Sequence, residues 1–363
     1  MIPFNQLKPL HDLLAEEIAL AMRRVADSGW YILGPEVEAF EREFADYHKV
    51  DHAVGVASGT DAIELALRAG GIGPGDEVIT VAHTAMATVT AIEATGAKPV
   101  LADIDLCTYT LDPKSALDRL TDRTRAIVVV HLYGQPADLA SLDAIAKERD
   151  LLLIEDCAQA HGATWNGGKV GTIGHMGTFS FYPTKNMGAY GDGGAVITKD
   201  AALADKLRKL RNYGQTTRYT HQSRGSNSRL DELQAAILRV KLQHLDRHNQ
   251  RRQAIAAIYD EVLQCLVTPW AAANAEHVYH LYVIRDQRRD QLMEALKARD
   301  IGTLIHYPVP IHLQESHRDL GLAAGSLPNT EKAAGEILSL PLYIGLSDAD
   351  VIHVCNEIAQ LRG

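Results

Sequence analysis

The chain has 363 residues, 46% hydrophobic and 23% charged, the make-up of a soluble globular protein with one large domain and one smaller one. Its net charge of −10, from 36 basic and 46 acidic residues, argues against nucleic acid or an anionic membrane as the main partner, while leaving room for a local anion site. Cys107, Cys157, Cys265 and Cys355 form no CxxC pair, and "MIPFNQLKPLHDLLAEE" lacks the apolar core of a signal peptide, so a cytoplasmic protein with reduced thiols, no structural zinc and no membrane span is expected.

Leu10, Leu13, Leu14, Ile18, Met22 and Val25 recur at helical spacing and predict a first helix that ends at "SGW", Ser28 to Trp30. "GPEVEAFEREFADYH" predicts a second, with Pro35 near its start and Val37, Phe40 and Phe44 on one side. From Ala53 the rhythm changes to short apolar runs separated by helical stretches: "AVGVAS", "DEVITV", "KPVLAD", "AIVVVHLYG" and "LLLIED". Runs of this kind predict a mainly parallel sheet covered on both faces. Gly194 to Thr198 adds a strand whose direction the sequence leaves open. Beyond Asp200 the pattern is helical, with a long segment from Asp231 to about Asp260. A boundary near Arg251 separates a large α/β domain, residues 1–250, from a small α+β domain, residues 251–363. The latter has strands expected in "HLYVI" and "GTLIHY" and helices near "RDQLMEALKARD" and "TEKAAGEIL".

Ligands of open α/β sheets sit beyond the carboxyl ends of the strands, so the residues just after each apolar run matter most. "ASGTDA" runs from a strand into a helix at about Thr60, where free N–H groups could seat a phosphate and Gly59 allows close approach; an ordinary helix cap is the plain alternative. "LLLIEDCAQAHGA" delivers Glu155 and Asp156 at a strand end, with Gln159 one turn on; a carboxylate there could keep a heterocyclic nitrogen protonated, cap a helix or act as a base. Cys157 and His161 stand four apart, but without further ligands a metal is not expected. In "FSFYPTKNMGAYGDGG", Ser180 and Tyr182 share one strand face, and Lys185 follows in a turn. A lysine in an apolar pocket has a lowered pKa and can act as a nucleophile; a solvated loop lysine is the plain alternative. "GIGPG" follows a helix instead of a strand, which excludes a dinucleotide fingerprint, and no GxxxxGK[ST] loop is present.

In order, a phosphate seat, a strand-end carboxylate, a hydroxyl and a pocket lysine match the needs of pyridoxal phosphate. With "ILGPEVEAFEREFADY", "GVASGTDAIELAL", "GPGDEVIT", "IEDCAQAHGA", "FSFYPTKNMGAYGDGGAV" and "NSRLDELQAA" all in sequence, the chain resembles the pyridoxal-phosphate-dependent nucleotide-sugar aminotransferases of DegT/DnrJ/StrS type, nearly end to end. The resemblance implies fold type I, the aspartate-aminotransferase-like α/β fold with a mainly parallel seven-stranded sheet and a smaller C-terminal domain. It implies that Lys185 bonds the cofactor and moves protons, that Asp156 holds the pyridine nitrogen protonated, and that Gln159 lies against the ring. Gly59, Thr60 and Ser180 would bind the phosphate, and Asn227 would reach the phosphate of a neighbouring subunit in an obligate homodimer. The substrates implied are L-glutamate and a dTDP-linked keto-6-deoxy sugar. "HTAMATVTAI", "HLYGQPADL" and "NSRLDE" look most like enzymes that aminate C3, with C4 or aminocyclitol amination, or a non-catalytic regulatory module, as alternatives. Ala85 stands where the C4 branch carries a stacking aromatic, which makes His83 a candidate for that place; Ser226 and Tyr190 are further departures, and Tyr182, His306 and Tyr307 are candidate substrate contacts.

Overall fold

The structure, a computed structural model, describes residues 1–362. Two helices, α1 (Lys8–Ser28) and α2 (Pro35–His48), precede a seven-stranded sheet built from β1 (His52–Val56), β2 (Glu77–Val81), β3 (Lys98–Ala102), β4 (Thr124–Val130), β5 (Leu152–Asp156), β6 (Met176–Ser180) and β7 (Gly194–Thr198). The spatial order is β1-β7-β6-β5-β4-β2-β3, and β7 alone runs against its neighbours β1 and β6. Successive side chains enter opposite cores: Ala195 and Ile197 join Phe40, Phe44, Phe179 and Phe181 on one face, whereas Val196 joins Val54, Val56 and Ile154 on the other. Burial on both faces is why these strands are apolar throughout.

Between the strands lie α3 (Gly59–Ala69), α4 (Met86–Ala94), α5 (Pro113–Asp118) and α6 (Leu139–Glu148), followed after β7 by α7 (Ala201–Leu210). The chain then enters α8, a 31-residue helix from Glu232 to Val262. Position 250, the expected boundary, falls inside this unbroken helix. Its first half packs Ala235, Leu238, Leu242 and Leu245 into the large core. Ile255, Ala256 and Tyr259 enter a separate core with the antiparallel pair β8 (Tyr282–Arg285) and β9 (Ile337–Leu340). The helices α9 (Arg289–Lys297), α10 (Pro328–Glu336) and α11 (Asp348–Arg362) complete the C-terminal part.

Two expectations need correction. "GTLIHY" is no strand: it makes one bridge, Leu304 to Ser339, because Gly302 already donates to the Ile2 carbonyl (2.8 Å) and His306 turns its Nδ1 to the Ser339 hydroxyl (2.9 Å). The first residues of the chain therefore sit against the C-terminal unit. The apolar face of α1 is also narrower than expected: Leu14, Ile18, Ala21 and Val25 are buried, while Leu13 is 65% exposed and Met22 38%. Packing against the single helix α8 covers only a narrow seam. No helix among the described residues is long and apolar enough to cross a membrane.

Candidate active site

Parallel strands β4, β5 and β6 end side by side at Val130, Asp156 and Ser180, and the first turns of α3 and α4 face them across a cavity of about 310 Å³. Lys185, Gln159 and Tyr182 complete its wall, with Asp192 at the rim.

At one end, Ser58 caps α3 by accepting the Asp61 N–H at 3.1 Å, which leaves the Gly59 and Thr60 N–H groups to the cavity. Glycine is required at 59, since a Cβ there would lie 2.4 Å from Cβ of Ser180. The backbone thus closes on Ser180, whose hydroxyl accepts the Tyr182 N–H at 3.3 Å. Ser228 stiffens the same turn from behind: its hydroxyl donates to Asp61 (2.7 Å) and accepts from the Ala57 N–H (3.1 Å). Asn227, one residue earlier, is exposed and does not line this cavity.

At the other end, Asp156 is buried, with Oδ1 accepting the Ala158 N–H (3.1 Å) and Oδ2 the Thr88 hydroxyl (2.9 Å). Burial pushes its pKa up, while these two donors and the charge of Lys185 pull the other way. Gln159 is held at both ends of its amide, accepting the Tyr133 N–H (2.7 Å) and donating to the Tyr307 hydroxyl (3.2 Å). Tyr133 donates onward to the His306 carbonyl, and His83 Nε2 shares a 2.8 Å hydrogen bond with the Tyr133 hydroxyl. His83 is therefore buried behind the wall and does not line the cavity, so it is not placed to stack on a ring there. His306 and Tyr307 are likewise absent from the cavity lining: Tyr307 accepts from Gln159, and His306 stacks on Phe4. The apolar lining comes instead from Ile63, Ala85, Ala87, Val130 and Ala158.

Lys185 sits between these ends in a closed turn, its N–H donating to the Tyr182 carbonyl (2.9 Å) while the Ala189 N–H returns to Phe181 (2.7 Å). A Cβ at Gly188 would lie 2.3 Å from the Pro183 carbonyl, so the turn closes only with glycine. Loss of hydration lowers the pKa of the amine to about 8, and Asp156 opposes that shift. Since the neutral amine is the nucleophile, the capture of aldehydes by Lys185 in cofactor-free protein should rise about tenfold per pH unit and level off near pH 8. An ordinary lysine would still be accelerating above pH 9. Borohydride trapping followed by peptide mapping measures this directly.

The cysteine and histidine of "LLLIEDCAQAHGA" are both packed into the core. His161 packs between Phe179 and Phe181, at 5.5 and 5.8 Å, and burial with two adjacent carboxylates holds the Cys157 thiol well above its ordinary pKa. Ligand-type atoms of Cys157, His131 and Glu155 lie within 4.8 Å of one another. Glu155 is nevertheless already occupied, by His131 (3.0 Å) and by the N–H groups of Gly171, Ile173 and Gly174 at 2.6–2.8 Å. Burial alone would raise its pKa, but these donors bring it below the ordinary value. The motif shapes the loop leading into β6.

The sequence does not single out Ser58, Thr88 or Tyr133, whereas Ser228, with Asn227, reads there as a helix cap or an anion contact. Ser58 and Ser228 lie inside the quoted motifs and were legible as capping hydroxyls; Thr88 and Tyr133 act through contacts 68 and 26 residues away. The donor set fits pyridoxal phosphate: helix N–H groups and a serine for the phosphate, a buried carboxylate for the ring nitrogen, and a lysine of lowered pKa for the aldehyde.

The profile of the DegT/DnrJ/EryC1/StrS aminotransferase family matches residues 12–359. The chain is 48% identical to a dTDP-3-amino-3,4,6-trideoxy-alpha-D-glucose transaminase of Streptomyces venezuelae, over 99% of this chain and 96% of the relative. It is also 48% identical to a dTDP-3-amino-3,6-dideoxy-alpha-D-galactopyranose transaminase of Aneurinibacillus thermoaerophilus, over 99% of each. A solved structure of S. venezuelae DesV in complex with a ketimine intermediate superposes with a TM-score of 0.97 at 48% identity, covering 99% of this chain and 98% of that one.

Proposed function

Because the chain belongs to the DegT/DnrJ/EryC1/StrS aminotransferase family, we propose that it moves the amino group of L-glutamate to C3 of a dTDP-linked 3-keto-6-deoxyhexose, giving 2-oxoglutarate and a dTDP-3-amino-3,6-dideoxyhexose. The chain is an aminotransferase and uses pyridoxal phosphate. That cofactor, when bound, supplies an aldehyde carbon for the amine and a protonated ring that draws electrons from the substrate carbon. The single observation that carries the reading is the cavity that gathers Lys185, Asp156 and the α3 N-terminus.

Each residue then has a task. The Gly59 and Thr60 N–H groups and Ser180 would hold the phosphate, aided by the positive end of α3. Asp156 would face the ring nitrogen with its charge, Gln159 would lie against the ring, and Lys185 Nζ would be the amine that bonds the aldehyde and the base that holds or moves a proton. Ala85 leaves room over that wall for a sugar. The two relatives named differ at the sugar's C4 but agree on dTDP and on the amino group at C3, which supports the position and the base together.

An obligate homodimer belongs to the same reading. Leu13, Leu20, Trp30, Tyr31 and Ile32 are exposed on and after α1, an apolar face of the kind subunit interfaces cover, and exposed Asn227 could then serve the neighbouring phosphate. A cytoplasmic setting goes with it, in keeping with four unpaired thiols.

The test is incubation of the purified protein with glutamate and either a 3-keto or a 4-keto dTDP-sugar, with sedimentation of the same sample. Amination of the 3-keto sugar by a dimer is expected. Turnover of the 4-keto sugar alone would overturn the C3 assignment, and binding of cofactor without turnover of any keto-sugar would favour a regulatory module.

A further inference from the structure

Lys241 and Asn249 lie two helical turns apart on one face of α8, and both reach the turn that carries Lys185. Nζ of Lys241 donates to the Gly188 carbonyl at 2.5 Å and lies 4.6 Å over the ring of Tyr190. Tyr190 is itself tied down, its hydroxyl 2.5 Å from His11 Nδ1 and its N–H donating to Gln234 at 2.8 Å. Asn249 accepts from the side chain of Asn186 (2.9 Å) and donates to the His161 carbonyl (2.8 Å). Asn186 also donates to the Val278 carbonyl (3.0 Å) and pairs with His280 (3.2 Å). The residue after Lys185 and the glycine three after it are thus gripped from the same helix.

The Lys241 grip is the costlier. The side chain is buried, and among the described residues no carboxylate forms a salt bridge with it. Loss of hydration brings its pKa down to about 8. An ammonium held in this way weakens the fold, and a methionine of similar length would fill the space without that cost. What methionine would not do is satisfy the buried Gly188 carbonyl, in a turn too tight for any side chain at that position.

We propose that Lys241 is a positioning residue for Lys185: from α8 it holds the Gly188 carbonyl and so keeps the Pro183–Gly188 turn in the shape that presents the Lys185 amine to the cavity. The inference rests on the assignment of Lys185 as the cofactor-bonding lysine.

Three variants of the full chain separate packing, hydrogen bond and charge: Lys241→Met removes donor and charge, Lys241→Gln keeps a donor without charge, and Lys241→Arg keeps both. The readouts are the melting temperature and the pH dependence of borohydride trapping of pyridoxal phosphate on Lys185. In Lys241→Met the stranded Gly188 carbonyl offsets the relief of the buried charge, so it should melt within a few degrees of native, yet the apparent pKa of Lys185 should rise by about one unit as the loosened turn admits water, which slows trapping at pH 7 about tenfold. Lys241→Arg and Lys241→Gln should trap within about threefold of native. Native trapping by Lys241→Met, or a fall in melting temperature with no change in trapping, would overturn the proposal. So would Lys241→Gln behaving like Lys241→Met while Lys241→Arg stays native, because charge and not the hydrogen bond would then be acting. Failure of the native protein to trap at Lys185 would instead overturn the assignment of that lysine.

Discussion

Replacing Lys185 with alanine should lower turnover of glutamate and keto-sugar by at least about 10⁴-fold, since the substitution removes both the nucleophile and the group that carries protons. The fold should survive, because the turn is closed by backbone bonds at Tyr182 and Phe181 and by the fit of Gly188 against Pro183, none of which uses the lysine side chain. The variant should still bind the cofactor through the α3 N-terminus, Ser180 and Asp156, but noncovalently, so that borohydride no longer adds its mass to the 184–188 peptide. A small primary amine in the buffer should restore part of the activity by supplying the missing base. Turnover within tenfold of native would show that another group does the chemistry.

Asp156→Asn is the second large effect, with an expected loss of about 10³-fold in turnover, the scale set by removing one preorganised charge from a reacting site. The substitution is close to isosteric. Asparagine can still accept the Ala158 N–H and can donate to the Thr88 oxygen, so the melting temperature should move by only a few degrees. A second consequence runs the other way. The Asp156 charge opposes the desolvation that lowers the Lys185 pKa, so without it that pKa should fall below about 8. In cofactor-free Asp156→Asn protein, aldehyde trapping at pH 7 should therefore be faster than native, even though catalysis is slower. A parallel loss of both would point to a displaced lysine and overturn the electrostatic role given to Asp156.

The parts of the site that could be read from sequence are those in which chemistry and local structure coincide within one segment. Asp156 ends an apolar run, Lys185 follows a strand broken by Pro183, and Gly59 opens a helix. The direction of β7 was not legible, because a strand buried on both faces shows the same residues whichever way it runs. Thr88 lies in α4 with nothing in its own segment to mark it, and its purpose appears only when Asp156 arrives 68 residues later. His83 was misleading for the same reason: its ring is engaged by Tyr133, a partner fifty residues downstream, behind the wall it was expected to face. "GTLIHY" has strand composition, but Gly302 bonds to Ile2 and only Leu304 pairs with β9, so no ladder extends along it.

The unbroken run of α8 also bears on how this protein could be recombined with its relatives. At 1.5 Å per residue the helix is about 46 Å long, a stiff rod with one end rooted in each core. A chimera spliced at residue 250 would join two half-helices from different parents, and their rotational phase is kept only if the splice neither adds nor drops a residue. Each residue of misregister turns the distal half by about 100° and carries Ile255, Ala256 and Tyr259 away from their seats. A crossover after Val262 would set Ile255, Ala256 and Tyr259 of one parent against the C-terminal core of the other, so hybrids joined near residue 250 in register, with the first few residues of the chain taken from the C-terminal parent, should be soluble more often.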